Sequence, residues 1–393
     1  MKSDPFYKCT LHLEALGKQL KLHVPHDVFS TERIDEGTLL LLKHLPSLEP
    51  GSVLDMGCGY GALGLPVAAR YPESRIDMVD RDLLAVAWAQ KNARENNLEN
   101  ARVFGSLGYR DLSLEAPPYD WILCNVPARI GRPFIKHLFE AGLARLSPQG
   151  ELRAVVITDL APILNEMAQE NGWPLTEEGR GSRHVVFAIK APLAHSAVME
   201  PEDLYLRDTV EIDGMKFDRP FDLGGDDPKR LSKGLPVLLD VLPRQAPRSV
   251  LIFRSGYGQI PIIGRSRWPS AQIVAVDRDL LGSAFVSRNA RKLGFAGKLL
   301  DVRERAHLVD AIQADEHFDL AICELSPSAG EKVAEAELTA LARSLDRNGQ
   351  ALILVLEKIE RQWLGGITKR KKLSMTRILA REGYALLRLT SLQ

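Results

Sequence analysis

SVLDMGCGYG, Ser52 to Gly61, returns 197 residues later as SVLIFRSGYG, Ser249 to Gly258. The echo extends in both directions. GTLLLLKHL (Gly37 to Leu45) pairs with GLPVLLDVL (Gly234 to Leu242), and MVDRDLLAVAWAQKNAR (Met78 to Arg94) with AVDRDLLGSAFVSRNAR (Ala275 to Arg291). Gly37 and Gly234, Gly59 and Gly256, Asp80 and Asp277, and Asn92 and Asn289 all keep the separation of 197. Chance similarity does not hold one register across a helix, a loop, a strand and a second helix, so the chain reads as a duplicated domain. The junction is expected in APLAHSAVMEPED (Ala191 to Asp203), which carries two prolines and no hydrophobic period, giving domains 1–195 and 196–393.

Within each copy, strand and helix patterns alternate. In the first, Ser52 to Met56 reads as a buried strand, Gly61 to Arg70 as a helix, Arg75 to Val79 as a strand, Leu83 to Asn96 as an amphipathic helix and Trp121 to Cys124 as a strand. Alternation of this kind builds a parallel sheet with helices on both faces, an α/β Rossmann-like fold whose ligands sit at the carboxyl ends of the strands.

A chain of 393 residues suits two such domains. Lys plus Arg balance Asp plus Glu at 51 each, so any basic surface must be local. The four cysteines, Cys9, Cys58, Cys124 and Cys323, never form a CxxC pair; no metal site and no disulfide framework is expected, and a reducing cytoplasm fits. No run approaches eighteen uninterrupted apolar residues and the N-terminus lacks a signal-peptide pattern, so no membrane partner is expected.

The loop Asp55 to Gly64 ends a strand and opens a helix, and Asp80 with Arg81 follows at the end of the next strand. Glycines let backbone approach a ligand, and a carboxylate at the Asp80 position suits ribose hydroxyls. GYGALG also satisfies the GxGxxG pattern of dinucleotide sites. Asp55 separates the two cofactor classes: just before the loop it would repel a pyrophosphate, but it suits the ammonium and sulfonium of S-adenosylmethionine. Asp55, Gly57, Cys58, Gly59, Gly61, Asp80 and Arg81 are the candidate cofactor residues; the bland alternative is a glycine turn with no ligand.

The strand through Cys124 delivers Asn125-Val126-Pro127-Ala128. This segment resembles the N-P-P-F tetrapeptide of amino-group methyltransferases. Three stretches, His23 to Leu45, Val53 to Leu65 and Asn125 to Gly131, are similar to the bacterial ribosomal RNA guanine-N2-methyltransferases of the "methyltransferase small" domain family. The resemblance implies two tandem class I methyltransferase domains, S-adenosylmethionine as cofactor, RNA as partner, and methylation of an exocyclic base amine. Such an amine is a poor nucleophile until its N–H groups are held by acceptors, here the Asn125 side-chain oxygen and the Val126 carbonyl; positioning then supplies most of the catalysis. Asn125 and Pro127 are the candidate catalytic residues, and Phe29, Val126 and Arg129 candidate substrate residues. Two of them have a plainer reading, Asn125 as a turn cap and Phe29 as a core aromatic. Asp35 and Gly37 fall in the matched pre-helix segment, Asp35 also reading as a helix cap. Val126 replaces the first proline of the pattern. Ala128 replaces the aromatic that would stack on the base, leaving Arg129 or Phe134 to do so.

The second copy is expected to be degenerate. Ile252 stands for Asp55, Arg254 for Gly57 and Ser255 for Cys58, while Asp277 persists; Glu324-Leu-Ser-Pro327 replaces the tetrapeptide. The enzymes resembled usually carry the degenerate half first, the reverse of this order. A substrate-docking role is expected for this copy, through Lys369, Arg370 and Lys371, although such a run also reads as a solvated loop. Three functions are open: an RNA N-methyltransferase, a methyltransferase of protein or small molecules, and a non-catalytic binding protein.

Overall fold

In a computed structural model, which describes residues 4–113, 117–190, 200, 201, 203–221 and 230–390, the chain forms two units, Lys8–Leu206 and Arg207–Gln393, the latter with the residues up to Tyr7. The expected junction at 195 and 196 lies outside the described residues.

The first unit contains β1 (Tyr7–Ala15), β2 (Lys18–Pro25), α1 (Glu36–Lys43), β3 (Ser52–Met56), α2 (Gly64–Arg70), β4 (Arg75–Asp80), α3 (Leu83–Glu95), β5 (Ala101–Gly105), β6 (Tyr119–Asn125), α4 (Arg132–Leu143), β7 (Leu146–Ile157), α5 (Ala161–Asn171), β8 (Thr176–Arg180) and β9 (His184–Lys190). Seven strands form one sheet in the order β5-β4-β3-β6-β7-β9-β8, with β1 and β2 as a separate hairpin. The sheet is parallel from β5 to β7 and antiparallel through β9 and β8. β3 is buried along Val53 to Met56 because helices cover both faces, which is why it reads as a run rather than an alternation. Asp82 caps α3, accepting from the Leu84 N–H at 2.9 Å, and the face bearing Leu84, Trp88 and Ala89 is buried on the sheet. Burying side chains of this size contributes about 1.5–3 kcal/mol each.

The second unit repeats this plan: β10 (Leu206–Ile212), β11 (Met215–Pro220), α6 (Arg230–Leu239), β12 (Ser249–Phe253), α7 (Gln259–Arg267), β13 (Gln272–Asp277), α8 (Leu280–Lys292), β14 (Leu300–Glu304), β15 (Phe318–Glu324), α9 (Glu331–Ser344), β16 (Leu345–Leu356), α10 (Glu357–Ile359), a π-helical turn Glu360–Leu364, α11 (Gly365–Lys371), β17 (Ser374–Arg381) and β18 (Tyr384–Thr390). Its sheet order, β14-β13-β12-β15-β16-β18-β17, matches that of the first. Both hairpins turn on two residues with positive φ, Leu16-Gly17 and Asp213-Gly214, as type I′ turns require. The register of 197 holds through the start of α8; β14, β15 and β16 begin 199 residues after β5, β6 and β7. Two residues have therefore been added between α8 and β14. Asn125 corresponds to Glu324 and Leu138 to Glu337 by this second register.

Candidate functional site

Among the parallel strands of each sheet the chain order reverses at one place, which in the first unit falls between β3 and β6, and the crevice above such a switch point is where open α/β sheets bind ligands. Asp55 pairs with Leu123, and Met56 with Cys124, across this gap. The glycine loop and Asn125 thus leave neighbouring strands side by side.

Val79 shapes the loop by accepting from the N–H groups of both Gly57 and Cys58, each at 2.9 Å. Gly57 and Gly59 take positive φ, 77° and 56°, and a Cβ on either would enter open space. Those two positions line a cradle. Gly64 is needed for packing instead, since a Cβ there would stand 2.8 Å from Asp55 Oδ2 and 2.9 Å from Met78. Asn92, wholly buried, donates to the carbonyls of Tyr60 and His23, tying the loop to β2.

Asp55 is 1% exposed. Its Oδ2 accepts from the Gly64 N–H at 2.8 Å, while Oδ1 is buried with no hydrogen-bond partner among the described residues. Burial pushes its carboxyl up to about 7, the Gly64 bond opposing and the nearby Asp80 adding to the effect. A buried acid with an unsatisfied oxygen beside an open glycine cradle fits a cationic ligand group. Asp80 is half-buried; its Oδ2 accepts from the Gly59 N–H at 2.8 Å and its Oδ1 from the Asp82 N–H at 2.8 Å, with Arg81 half-buried beside it. The Cys58 thiol is pushed up by burial, so it is a packing group rather than a nucleophile.

Asn125, half-buried at the end of β6, donates through Nδ2 to Asp35 Oδ2 at 2.8 Å and to Thr38 Oγ1 at 3.1 Å. Asp35 also caps α1, accepting from the Thr38 N–H at 3.0 Å. The cap reading of Asp35 and a contact with the site therefore coexist. Gly37 permits this, because a Cβ there would stand 2.9 Å from both Asp35 Oδ2 and the His184 ring. Val126 is buried and donates to the Val155 carbonyl, extending the β6–β7 pairing, whereas Pro127, Ala128 and Arg129 are exposed. Phe134 is buried with its ring 5.4 Å from that of Tyr205, which removes it as a stacking surface for a base. Phe29 is 72% exposed, which excludes the core reading. The Tyr60 hydroxyl donates to the Ser30 carbonyl at 3.1 Å, bringing the Phe29 segment to the glycine loop.

Residues 19–170 match the family model described as Methyltransferase small domain. This stretch belongs to that family. Ribosomal RNA small subunit methyltransferase C of Pseudomonas putida (strain W619) is 45% identical over 106 residues, 26% of this chain and 30% of that protein. An uncharacterized protein of Bacillus subtilis, YbxB, is 34% identical over 131 residues, 33% of this chain and 64% of its own length. The chain spans about a third of the length of the Pseudomonas relatives it matches. Among solved structures, a T. thermophilus 16S rRNA N2 methyltransferase (RsmC) in complex with AdoMet and guanosine shares the fold, with a TM-score of 0.68 at 18% identity over 98% of this chain and 99% of that one. Both units are class I methyltransferase folds arisen by duplication.

Against the methyltransferase small domain, the second unit shows how its own crevice is filled. Arg254, at the Gly57 position and with φ of 59°, pairs with Glu337 at 2.6 and 3.0 Å, donates to the Glu324 carbonyl at 3.1 Å and lies over the Phe253 ring. Its guanidinium thus spans from the loop to the end of β15. Asp277 still accepts from the Gly256 N–H at 3.1 Å, as Asp80 does from Gly59. The basic run is less available than its sequence suggests. Arg370 pairs with Glu331 and Glu335, Lys371 with Glu335, and Arg377 with Glu357 and Glu360, while Lys369 is exposed. Among the described residues no three His, Cys, Asp or Glu side chains group as a metal site, and no helix is long and apolar enough to cross a membrane.

Thr38, Tyr60, Asn92 and Glu337 were not singled out by sequence reasoning. Asn92 recurs as Asn289 in the repeat, a signal that was there to use. Glu337 had none, since its partner Arg254 lies 83 residues away in a different register.

Proposed function

We propose that this protein is an S-adenosylmethionine-dependent N-methyltransferase that acts in the cytoplasm on a base amine of RNA, guanine N2 of small-subunit ribosomal RNA. One observation carries the reading: a buried acid with a free oxygen and an open glycine cradle leave β3 beside Asn125 at the end of β6. The names of the Pseudomonas relatives support small-subunit ribosomal RNA as the substrate, and that of the T. thermophilus structure supports the N2 amine. S-adenosylmethionine, when bound, supplies a methyl group activated by its sulfonium.

Asp55 receives the cationic end of that cofactor, the backbone at Gly57, Cys58, Gly59 and Gly61 gives it room, and Asp80 with Arg81 borders its nucleoside. Asn125 Oδ1 and the Val126 carbonyl accept the N–H groups of the target amine and orient its lone pair, with Pro127 stiffening the segment. Phe29 and Arg129, both exposed beside the site, meet the RNA. The second unit docks it through the 369–371 segment. Exposed ion pairs such as those of Arg370 and Lys371 are worth only about 0–1 kcal/mol, so a phosphate can displace the acids.

The test is transfer of labelled methyl from S-adenosylmethionine to ribosomal RNA taken from a strain lacking the gene. Label in that RNA, lost on Asn125→Ala, supports the reading. Label appearing only in the protein fraction replaces the acceptor, and activity that survives Asn125→Ala removes the assigned role of Asn125.

A further inference from the structure

We infer that Asp35 is a positioning residue that fixes which end of the Asn125 amide faces the methyl acceptor; the inference rests on the reading of Asn125 just proposed. An asparagine side chain has a donor end and an acceptor end of nearly the same shape, and only the oxygen can hold an amine N–H. The Asp35 carboxylate accepts and cannot donate, so Nδ2 must turn toward it. Thr38 Oγ1 takes a further contact at 3.1 Å. With the nitrogen held by two acceptors on α1, Oδ1 is the end left for a ligand. Asp35 Oδ2 also holds the first turn of α1 through the Thr38 N–H, so amide and helix are keyed to one oxygen atom.

The second unit serves as an internal comparison. At the register of 197, Asp35 corresponds to Ser232 and Thr38 to Leu235, and by the register of 199 Glu324 stands where Asn125 does, yet Gly234 persists and α6 covers most of the register of α1, beginning three residues earlier at Arg230. The helix outlasted the loss of the cofactor loop, and all three members of the clamp went with that loop.

Ser caps a helix as well as Asp does but is too short to reach Asn125, whereas Asn keeps both the cap and an oxygen at the same distance. Asp35→Ser is therefore expected to keep the melting temperature and S-adenosylmethionine affinity and to lower kcat on ribosomal RNA about 100-fold with little change in KM, and Asp35→Asn to restore kcat to within a few fold. Undiminished kcat in Asp35→Ser overturns the inference. Should Asp35→Ser unfold, Thr38→Val leaves the cap and removes one acceptor: lower kcat at unchanged melting temperature supports the clamp, and unchanged kcat overturns it. Side-chain amide NMR makes the result independent of turnover. The Asn125 amide protons are expected to be shifted and protected in the unmodified protein and in Asp35→Asn, and ordinary in Asp35→Ser, even if no RNA is methylated. Failure of the functional reading thus leaves this signature standing, while amide resonances indifferent to Asp35→Ser refute the clamp itself.

Discussion

Arg254 and Glu337 form a two-pronged ion pair at the positions where the first unit has Gly57 and Leu138. Glu337 is 4% exposed and Arg254 21%, so the pair is largely withdrawn from water. Removing one partner leaves the other charge stranded. Glu337→Leu is expected to lower the unfolding free energy by about 3 kcal/mol, whereas Arg254→Gly together with Glu337→Leu is expected to be nearly neutral. Denaturant titration reads both, and equal costs for the single and double variants would refute this account.

The same two residues can be moved into the first unit. By analogy with Arg254 and Glu337, Gly57→Arg alone is expected to bring a guanidinium toward Leu138, which is wholly buried and offers no countercharge. It is expected to destabilise the domain and abolish S-adenosylmethionine binding. Adding Leu138→Glu should recover most of the stability and none of the binding, as read by thermal melting and calorimetry. Recovered binding in the double variant would mean that the cradle is elsewhere.

Asp55 gives a dependence on pH. Its folded value of about 7 lies above the ordinary carboxylate value, so near pH 6 the folded protein holds a proton that the unfolded chain has lost. The stabilisation from this group is complete below about pH 4 and is lost as pH rises through 7. A cationic ligand needs the ionised form, so affinity for S-adenosylmethionine should strengthen up to about tenfold per pH unit below 7 and level off above it. Calorimetry at pH 6 in buffers of different ionisation heat should show close to one proton released. A flat affinity between pH 5.5 and 8.5 would exclude Asp55 as the cation's partner.

Phe29 offers an exposed ring beside a tetrapeptide that has Ala128 in place of an aromatic. Phe29→Ala is expected to weaken RNA binding by about 1–3 kcal/mol, the worth of one stacked base. Melting temperature and cofactor affinity should not change. Filter binding that shows no loss would assign the ring to another partner.

The duplication, the strand boundaries near Asp55 and Asp80, and the α3 helix were legible because each is written locally, in a repeat or a period. The Asp213-Gly214 hairpin was equally local but went unread, as did the antiparallel β9 and β8, whose direction depends on a return connection rather than on composition. The register of 197 misplaced nothing before α8 and fails beyond it, where two added residues shift every later comparison. Side-chain partnerships were the least legible. Arg370 looks like a free cation until α9 brings Glu331 and Glu335 beside it, and Phe134 looks like a stacking ring until Tyr205 covers it.

The bond from the loop N–H to the acid after the second strand occurs twice, at Gly59 with Asp80 and at Gly256 with Asp277. In the second unit Ile252 stands where the first has Asp55, so what keeps Asp277 in place is the loop it ties down. An acid at this position is thus held by the architecture itself in both units. A copy in such a duplication can therefore keep its second-strand acid when the first-strand acid is gone, and the position that tells the two copies apart is the one with an oxygen left unpaired, Asp55 against Ile252.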